Sequence, residues 1–402
     1  MSFVSEFNRL PLSSLLKQME TANVAEVARV LASGANTLAD FAVLLSPAAD
    51  EMLEQLCRKS QALTRQRFGR VIRLYAPLYL SNECINNCAY CGFSRDNPIL
   101  RVTLSVDQVE QEAKALAAQG FRNILLVAGE HPKFVSSGYM AECVSRLARF
   151  IPSISLEVGP METPEYEPLV AAGADGLIVY QETYDRGVYA EMHTLGPKRN
   201  FDWRAETPER AYAAGFRRLG IAALYGLADW RYEALCTAAH AQYLLRECWK
   251  AQLTVSFPRL RPCAGDFQPK TLLSDRQLVQ LMTAFRLLLP DAGLVLSTRE
   301  NAEFRNGLFP LGVTHASAGS HTEPGGYTGA GRDSLHQTVR GRMVPVADST
   351  PIPALTAKRA TEATGQFDIA DDRSPAEVSA AIRKLGYEPV WKDWDAAITA
   401  PQ

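Results

Sequence analysis

The chain has 402 residues, with 42 basic and 44 acidic side chains, 47% apolar residues and 21% charged ones, a globular composition with mass enough for a large core. That mixture excludes a disordered, collagenous or coiled-coil chain, and a formal charge of −2 gives no overall attraction to nucleic acid or an anionic membrane. No run approaches the roughly 20 uncharged apolar residues of a bilayer-spanning helix, and MSFVSEFNRL lacks the basic-then-apolar order of a secretory leader. A cytoplasmic protein without nucleic-acid or membrane partners is expected. Its cysteines should then be reduced, so closely spaced ones read as a metal site rather than a disulfide framework.

Residues 1–70 are punctuated helix, since VAEVARVLAS and AADEMLEQLCRKSQALTRQRFG carry apolar positions at three- and four-residue spacing. They predict an N-terminal helical extension. From Val71 short apolar or β-branched runs alternate with helical segments: VIRLYAPLYL (71–80), ILLVAGE (124–130), ISLEVG (154–159), GLIVYQE (176–182), RLGIAAL (218–224), LTVSFPRL (253–260), LVLSTRE (294–300) and the weaker VTHASAGS (313–320). Between them Ser105 with Gln108, and Ser274 with Gln277, have capping-box spacing, while Gly120, Gly173 and Gly215 stand where a helix stops before the next strand. These are parallel β/α units, and their number predicts an α/β fold with a (β/α) barrel over 71–320. Chemistry in such a barrel belongs at the C-terminal ends of the strands.

Residues 321–402 form a C-terminal closing region. Within it 327–366, rich in Gly, Pro, Ser, Thr and Ala, reads as mobile loop. A final helix is predicted at SPAEVSAAIRKLG, with Ser374 as cap, Pro375 at the first helical position, Glu377 completing the box and Gly386 stopping it. The two tryptophans of PVWKDWD are expected to pack back on the body.

Cys84-Ile-Asn-Asn-Cys88-Ala-Tyr-Cys91 crowds three thiols onto a polar loop directly after the first strand. Structural zinc wants four ligands, and no fourth cysteine lies nearby. A three-thiolate [4Fe–4S] cluster instead leaves one iron open to an exogenous chelator. Cys57, Cys143, Cys236 and Cys248 fall inside helical segments and read as small core residues, whereas Cys263, in RPCAGD after the sixth strand, faces the rim.

The CxxxCxxC spacing, with Tyr90 before its last cysteine, resembles the radical S-adenosylmethionine superfamily. The ordered blocks YLSNECINNCAYCGFSRDN, LLVAGEH, VYQETY, FPRLRPC, STRE, PGGY and WKDWD resemble, within it, the tyrosine lyase family of thiamine thiazole biosynthesis, from about residue 40 to 396. The resemblance implies one [4Fe–4S] cluster per subunit on Cys84, Cys88 and Cys91, with S-adenosylmethionine as second cofactor. It matches Gly129 and Glu130 to the family's glycine-rich position after the second strand, and it makes Glu157 a candidate contact to adenosylmethionine. The run Tyr180, Gln181, Glu182 and Tyr184, too polar for an ordinary barrel-core strand, adds Gln181 as a candidate cofactor contact, and Arg186 beyond it reads either as a contact to a carboxylate or as a solvated loop arginine. The resemblance places Arg299 on the substrate carboxylate with Ser317 assisting, and leaves Tyr90 as a further catalytic candidate; Arg259 and Arg261 rank behind Arg299. A bidentate arginine is what a carboxylate in a partly dry pocket requires.

The implied reaction cleaves the Cα–Cβ bond of L-tyrosine to 2-iminoacetate and 4-cresol. Thiazole synthase and a flavodoxin-type electron donor are the implied partners. A hydrogenase-maturation relative carries a second cluster on cysteines near its C-terminus, but no cysteine here follows Cys263. Other readings are a related lyase acting on tryptophan, a tyrosine lyase feeding metallocluster assembly, and a non-catalytic iron–sulfur or zinc protein.

Overall fold

A computed structural model describes residues 2–265, 267–339, 342–346 and 362–391. Eight parallel strands follow one another around a ring: β1 (Val71–Ser81), β2 (Asn123–Ala128), β3 (Ser153–Glu157), β4 (Gly176–Glu182), β5 (Arg218–Ala223), β6 (Gln252–Ser256), β7 (Gly293–Leu296) and β8 (His315–Ser317). The ring closes where β8 returns to β1 through Arg73↔His315, Leu74↔Ala316 and Tyr75↔Ser317. This is the expected (β/α) barrel. A further strand, β9 (Glu388–Val390), lies parallel to the start of β1 through Val71↔Glu388.

Alternation along the strands separates two environments. Outward residues such as Leu74, Ala76 and Leu78 of β1, Ile124 and Leu126 of β2, or Leu177 and Val179 of β4, are buried against the helices and belong to one continuous apolar core. Inward positions are different: Tyr75 and Tyr79 of β1, Ser155 and Glu157 of β3, Tyr180 of β4, Thr254 and Ser256 of β6 and Ser317 of β8 line cavities inside the barrel. Most barrels fill this space with branched aliphatic side chains. Here polar and aromatic side chains stand among the aliphatic ones, such as Leu125, Ile178 and Val295.

The helix-end signals hold. Capping boxes form at Ser105 with Gln108, Ser274 with Gln277 and Ser374 with Glu377, and Gly173 and Gly215 adopt left-handed φ of 116° and 115° as C-terminal caps. The segment before β1 forms six helices, from Phe3–Phe7 to Leu53–Phe68. They wrap the outer helices of the barrel: Phe41 packs edge-on against Phe285 with centroids 4.9 Å apart, and Phe3 stacks on His240 at 3.8 Å. Among the described residues, no helix is long and apolar enough to cross a membrane.

The loop expected over 327–366 is a correction for its described parts. Residues 332–339 and 342–345 contain a short 3-10 turn and an antiparallel pairing of His336–Val339 with Arg342–Pro345. Their anchors are single polar groups distant in sequence, which periodicity does not register: the Tyr327 hydroxyl donates to Pro77 O at 2.6 Å, the Glu112 carboxylate accepts from the amides of Tyr327 and Thr328, and His336 exchanges both backbone hydrogen bonds with Arg101. Residues 347–361 lie outside the described residues. Trp391 packs against Phe121 at 5.1 Å, as expected; Trp394 lies outside the described residues.

Behind β4, Glu233 is fully buried and accepts from the amide of Tyr184 at 2.9 Å and from the Thr183 hydroxyl. Burial pushes its carboxyl up to about 8, against hydrogen bonds that pull the other way. A carboxyl raised on folding contributes stability below its unfolded value and loses it as pH rises through the folded value. Glu233→Gln, a neutral isostere of the protonated acid, should therefore match the unsubstituted protein near pH 5 and exceed it by on the order of 3 kcal/mol near pH 9 in denaturant unfolding. Parallel stability–pH curves for the two proteins would contradict this.

Candidate active site

The cysteine loop leaves β1 at Ser81 and is held by side chains that satisfy its backbone from outside. Asn82 donates to Leu100 O at 2.8 Å and to Thr364 O at 3.0 Å, and its carbonyl oxygen accepts from Val102 N. Arg101, 1% exposed, donates to the carbonyls of Asn82, Phe93 and Ser94. Asn97 donates to Cys91 O, Gly92 O and Ala264 O. A loop with several carbonyls tied outward to such donors can leave its thiols facing one point.

Glu130 and Gly129 belong to this scaffold. Glu130 accepts from Asn86 Nδ2 at 2.7 Å, and its backbone carbonyl accepts from Ile85 N. Gly129 lies so near the loop that a Cβ there would stand 2.2 Å from Glu83 O. Glu83 is itself buried, accepting from His336 Nε2 and the Thr338 hydroxyl at 2.7 Å each. Those bonds outweigh burial and hold its carboxyl below the usual range.

The three thiols lie within one another's electrostatic reach. Burial raises Cys88 and Cys91 above the ordinary thiol range; the charge of Cys84 raises Cys91 further, and the Lys198 ammonium opposes both shifts. Among the described residues, no three His, Cys, Asp or Glu side chains gather around a single ion. An iron–sulfur cluster imposes another geometry, because each thiolate holds its own iron. The donor set and the outward-tied loop fit that group. Asn86 Nδ2 approaches Cys84 Sγ at 3.8 Å and Gln366 Nε2 approaches Cys91 Sγ at 3.9 Å, as donors to ligand sulfur would.

Beside this loop, Tyr75, Tyr79, Glu157, Tyr180, Ser256, Arg299, Ser317, Gln366 and Phe367 surround the cavity at the C-terminal ends of the strands. Arg299 places its guanidinium over the Phe367 ring, 3.4 Å from the centroid, and donates to Arg259 O at 3.3 Å. Among the described residues it has no carboxylate within ion-pairing distance, because Glu300 is taken by Arg259, which also binds Asp275. Ser317 accepts from Thr298 N at 3.1 Å, which fixes its hydroxyl at the same rim. Burial and the neighbouring Glu182 push the Glu157 carboxyl up to about 7, against the pull of Arg299 and Arg204.

Strand alternation disperses the remaining candidates. Gln181 faces the helices and donates to Phe201 O at 3.4 Å. Arg186 lies outside the barrel, paired with Asp202 and stacked on Phe201 at 4.1 Å. The structure therefore brings neither to the cavity. Tyr90 is buried beneath the loop, its hydroxyl bonded to His193 Nε2 at 2.7 Å. Cys263 donates to Tyr90 O at 3.3 Å, and burial pushes its thiol up to about 12.

Residue-type reasoning also missed a buried cationic pair. Glu182 has a φ of 73°, the one positive value at a non-glycine residue among those described, and binds Lys198 Nζ at 2.7 Å and Arg204 Nη2 at 3.3 Å. Burial opposes its ionisation, but these two cations outweigh it and hold the carboxyl below the usual range. The tyrosines of β1 had a legible signal in their four-residue spacing along one strand face; Gln366 and Phe367 had none.

A model of the radical SAM superfamily matches residues 78–238, and one of the biotin and thiamin synthesis associated domain matches 256–388. The 2-iminoacetate synthase of Escherichia coli (strain K12) is 41% identical over 98% of this chain and 97% of its own length. The chain belongs to the 2-iminoacetate synthase family. That of Salmonella typhimurium (strain LT2) is 39% identical over the same shares. The crystal structure of the FeFe-hydrogenase maturase HydG from Carboxydothermus hydrogenoformans superimposes with a TM-score of 0.81 at 31% identity, over 97% of this chain and 85% of that one. As a radical SAM enzyme, this member of the family uses a [4Fe–4S] cluster and S-adenosylmethionine.

Over the cavity runs the segment 362–371. Asp371, fully buried, ties it down by pairing with Arg305, also fully buried, and with Arg373 at 2.7 Å; Arg305 in turn donates to Ser317 O. Removing one partner of a buried pair leaves an uncompensated charge and costs about 3–5 kcal/mol. Asp371→Asn should lower stability by that order in denaturant unfolding, and amide exchange should rise across 362–371 before it rises in the barrel strands. A loss below about 1 kcal/mol would mean that Arg305 finds other partners.

Proposed function

We propose that this protein is a radical lyase that cleaves the Cα–Cβ bond of L-tyrosine to 2-iminoacetate and 4-cresol, with 5′-deoxyadenosine and methionine as co-products, for the thiazole of thiamine. The observation that carries this reading is family membership over nearly the whole chain, joined to one feature of the site: a rim arginine with no carboxylate at ion-pairing distance among the described residues, beside the three-thiol loop. Cys84, Cys88 and Cys91 hold the cluster. Reduced cluster and adenosylmethionine together supply the 5′-deoxyadenosyl radical.

The chain's own residues select and protect the substrate. Arg299, resting on Phe367, binds the tyrosine carboxylate, and Ser317 assists from the end of β8. Glu157 faces polar groups of the adenosylmethionine, while Glu130 and Gly129 keep the cysteine loop in place. Tyr75, Tyr79 and Tyr180 wall the cavity, and segment 362–371 covers it, so that little besides the substrate lies within a radical's reach. Tyrosine has the atoms of the imine and the cresol together; scission leaves a 4-hydroxybenzyl fragment that takes up one electron and one proton. A flavodoxin-type donor delivers electrons, and thiazole synthase consumes the water-sensitive imine.

Anaerobic turnover with tyrosine, adenosylmethionine and reductant should give cresol and glyoxylate, the hydrolysis product of the imine, in near-equal amounts. Tryptophan should give no indole product. Cys84→Ala, Cys88→Ala and Cys91→Ala should each form no deoxyadenosine, while Cys57→Ala stays active; full iron content in all three variants would sink the cluster assignment. Carbon monoxide or cyanide in place of glyoxylate would contradict the reaction.

Losing one partner of a desolvated charge pair typically costs about 2–5 kcal/mol. Arg299→Ala should therefore weaken tyrosine binding by roughly 30-fold or more while iron content and adenosylmethionine binding are retained. Unchanged tyrosine affinity would move the carboxylate site elsewhere.

A further inference from the structure

Segment 362–371 touches the cysteine loop as well as the cavity, and one residue does both. Gln366 stands between Tyr79 and Cys91: its Oε1 accepts from the Tyr79 hydroxyl at 2.8 Å, and its Nε2 lies 3.9 Å from Cys91 Sγ, within hydrogen-bond range for sulfur. Its backbone is fixed on two sides, since Gly92 N donates to Gln366 O at 3.1 Å and Gln366 N donates to Thr322 O at 2.9 Å. The approach is close enough that a Cβ on Gly92 would stand 2.6 Å from Gln366 O. These contacts fix the Gln366 backbone beside the cysteine loop.

The acceptor sulfur settles the orientation of the carboxamide, and the Tyr79 hydroxyl, donating to Oε1, holds it. With the phenol donating to Oε1, the NH2 end faces sulfur; in the flipped amide the carbonyl oxygen would face a thiolate, two acceptors with no proton between them. An N–H directed at a ligand sulfur stabilises the more negative, reduced state of an iron–sulfur cluster and raises its potential. We propose that Gln366 is a positioning residue of the cluster, donating its amide N–H to the Cys91 sulfur and raising the reduction potential, with Tyr79 locking the amide in the donating orientation. The inference rests on the reading that Cys91 is a cluster ligand. It gives the C-terminal segment a chemical part in the first electron transfer, in addition to covering the cavity.

The test is an EPR-monitored redox titration of the anaerobically reconstituted full-length protein. Gln366→Met keeps the length of the side chain and removes the donor; Tyr79→Phe keeps the ring and releases the amide. Both variants, at full iron content, should titrate at a lower midpoint than the unsubstituted protein, Gln366→Met by the larger shift. An unchanged midpoint in iron-replete Gln366→Met overturns the inference and leaves the cluster assignment standing. Should that variant lose iron, Tyr79→Phe decides by the same criterion. Failure of the unsubstituted protein to take up a cluster would overturn assignment and inference together.

Discussion

A primary carbon radical removes hydrogen from almost any group it meets, so a site that uses one must be dry, and yet this site must accept a zwitterionic amino acid. Charge buried in a dry place is tolerated only when it is paired. The barrel meets that requirement residue by residue. Glu182 lies between Lys198 and Arg204, Glu300 on Arg259, Asp371 between Arg305 and Arg373, and Glu83 against His336. Against that background of paired charges, Arg299 rests on Phe367 and lines the cavity with no carboxylate at ion-pairing distance among the described residues. A substrate carboxylate completes the pattern.

The same constraint explains why the C-terminal segment is fastened with polar bonds rather than apolar packing. It crosses a polar mouth, where a greasy cover would leave the rim carbonyls without partners. Instead Ala370 N and Asp371 N donate to Thr298 O, Asp368 N to Pro262 O, Gln366 N to Thr322 O and Thr364 N to Leu100 O. The first two bonds share Thr298 beyond the end of β7, and the others reach the loops that follow β6, β8 and the cysteine motif. Closing the barrel and shaping the cluster environment are consequently one structural task.

What the sequence made legible follows from this division. Outward strand faces and helix caps depend on neighbours two to four residues away, so periodicity, the boxes at Ser105, Ser274 and Ser374, and the glycine stops at Gly173 and Gly215 were all readable. The cysteine loop was readable because three thiols at fixed spacing have few other uses. Gln181 faces away from the cavity because a strand sends Tyr180 and Gln181 to opposite faces, and Arg186 lies apart because it begins the helix that follows β4. The role of Gln366 and Phe367 was not readable, since nothing local distinguishes a Gly- and Thr-rich loop from a segment bonded to Thr322, Leu100 and Gly92, all far away in the chain. Likewise Glu182, Lys198 and Arg204 meet only through the turn of the barrel.

The central claim is that tyrosine is held at the mouth of this barrel by Arg299, between the cysteine loop and the inward-facing tyrosines. It is tested most directly by an anaerobic crystal structure of the cluster-loaded protein with adenosylmethionine and tyrosine. The account predicts the substrate carboxylate on the Arg299 guanidinium, the phenol ring among Tyr75, Tyr79 and Tyr180, and segment 362–371 in place above it. Tyrosine bound with its carboxylate on another cation, or outside the ring of strands, would contradict it.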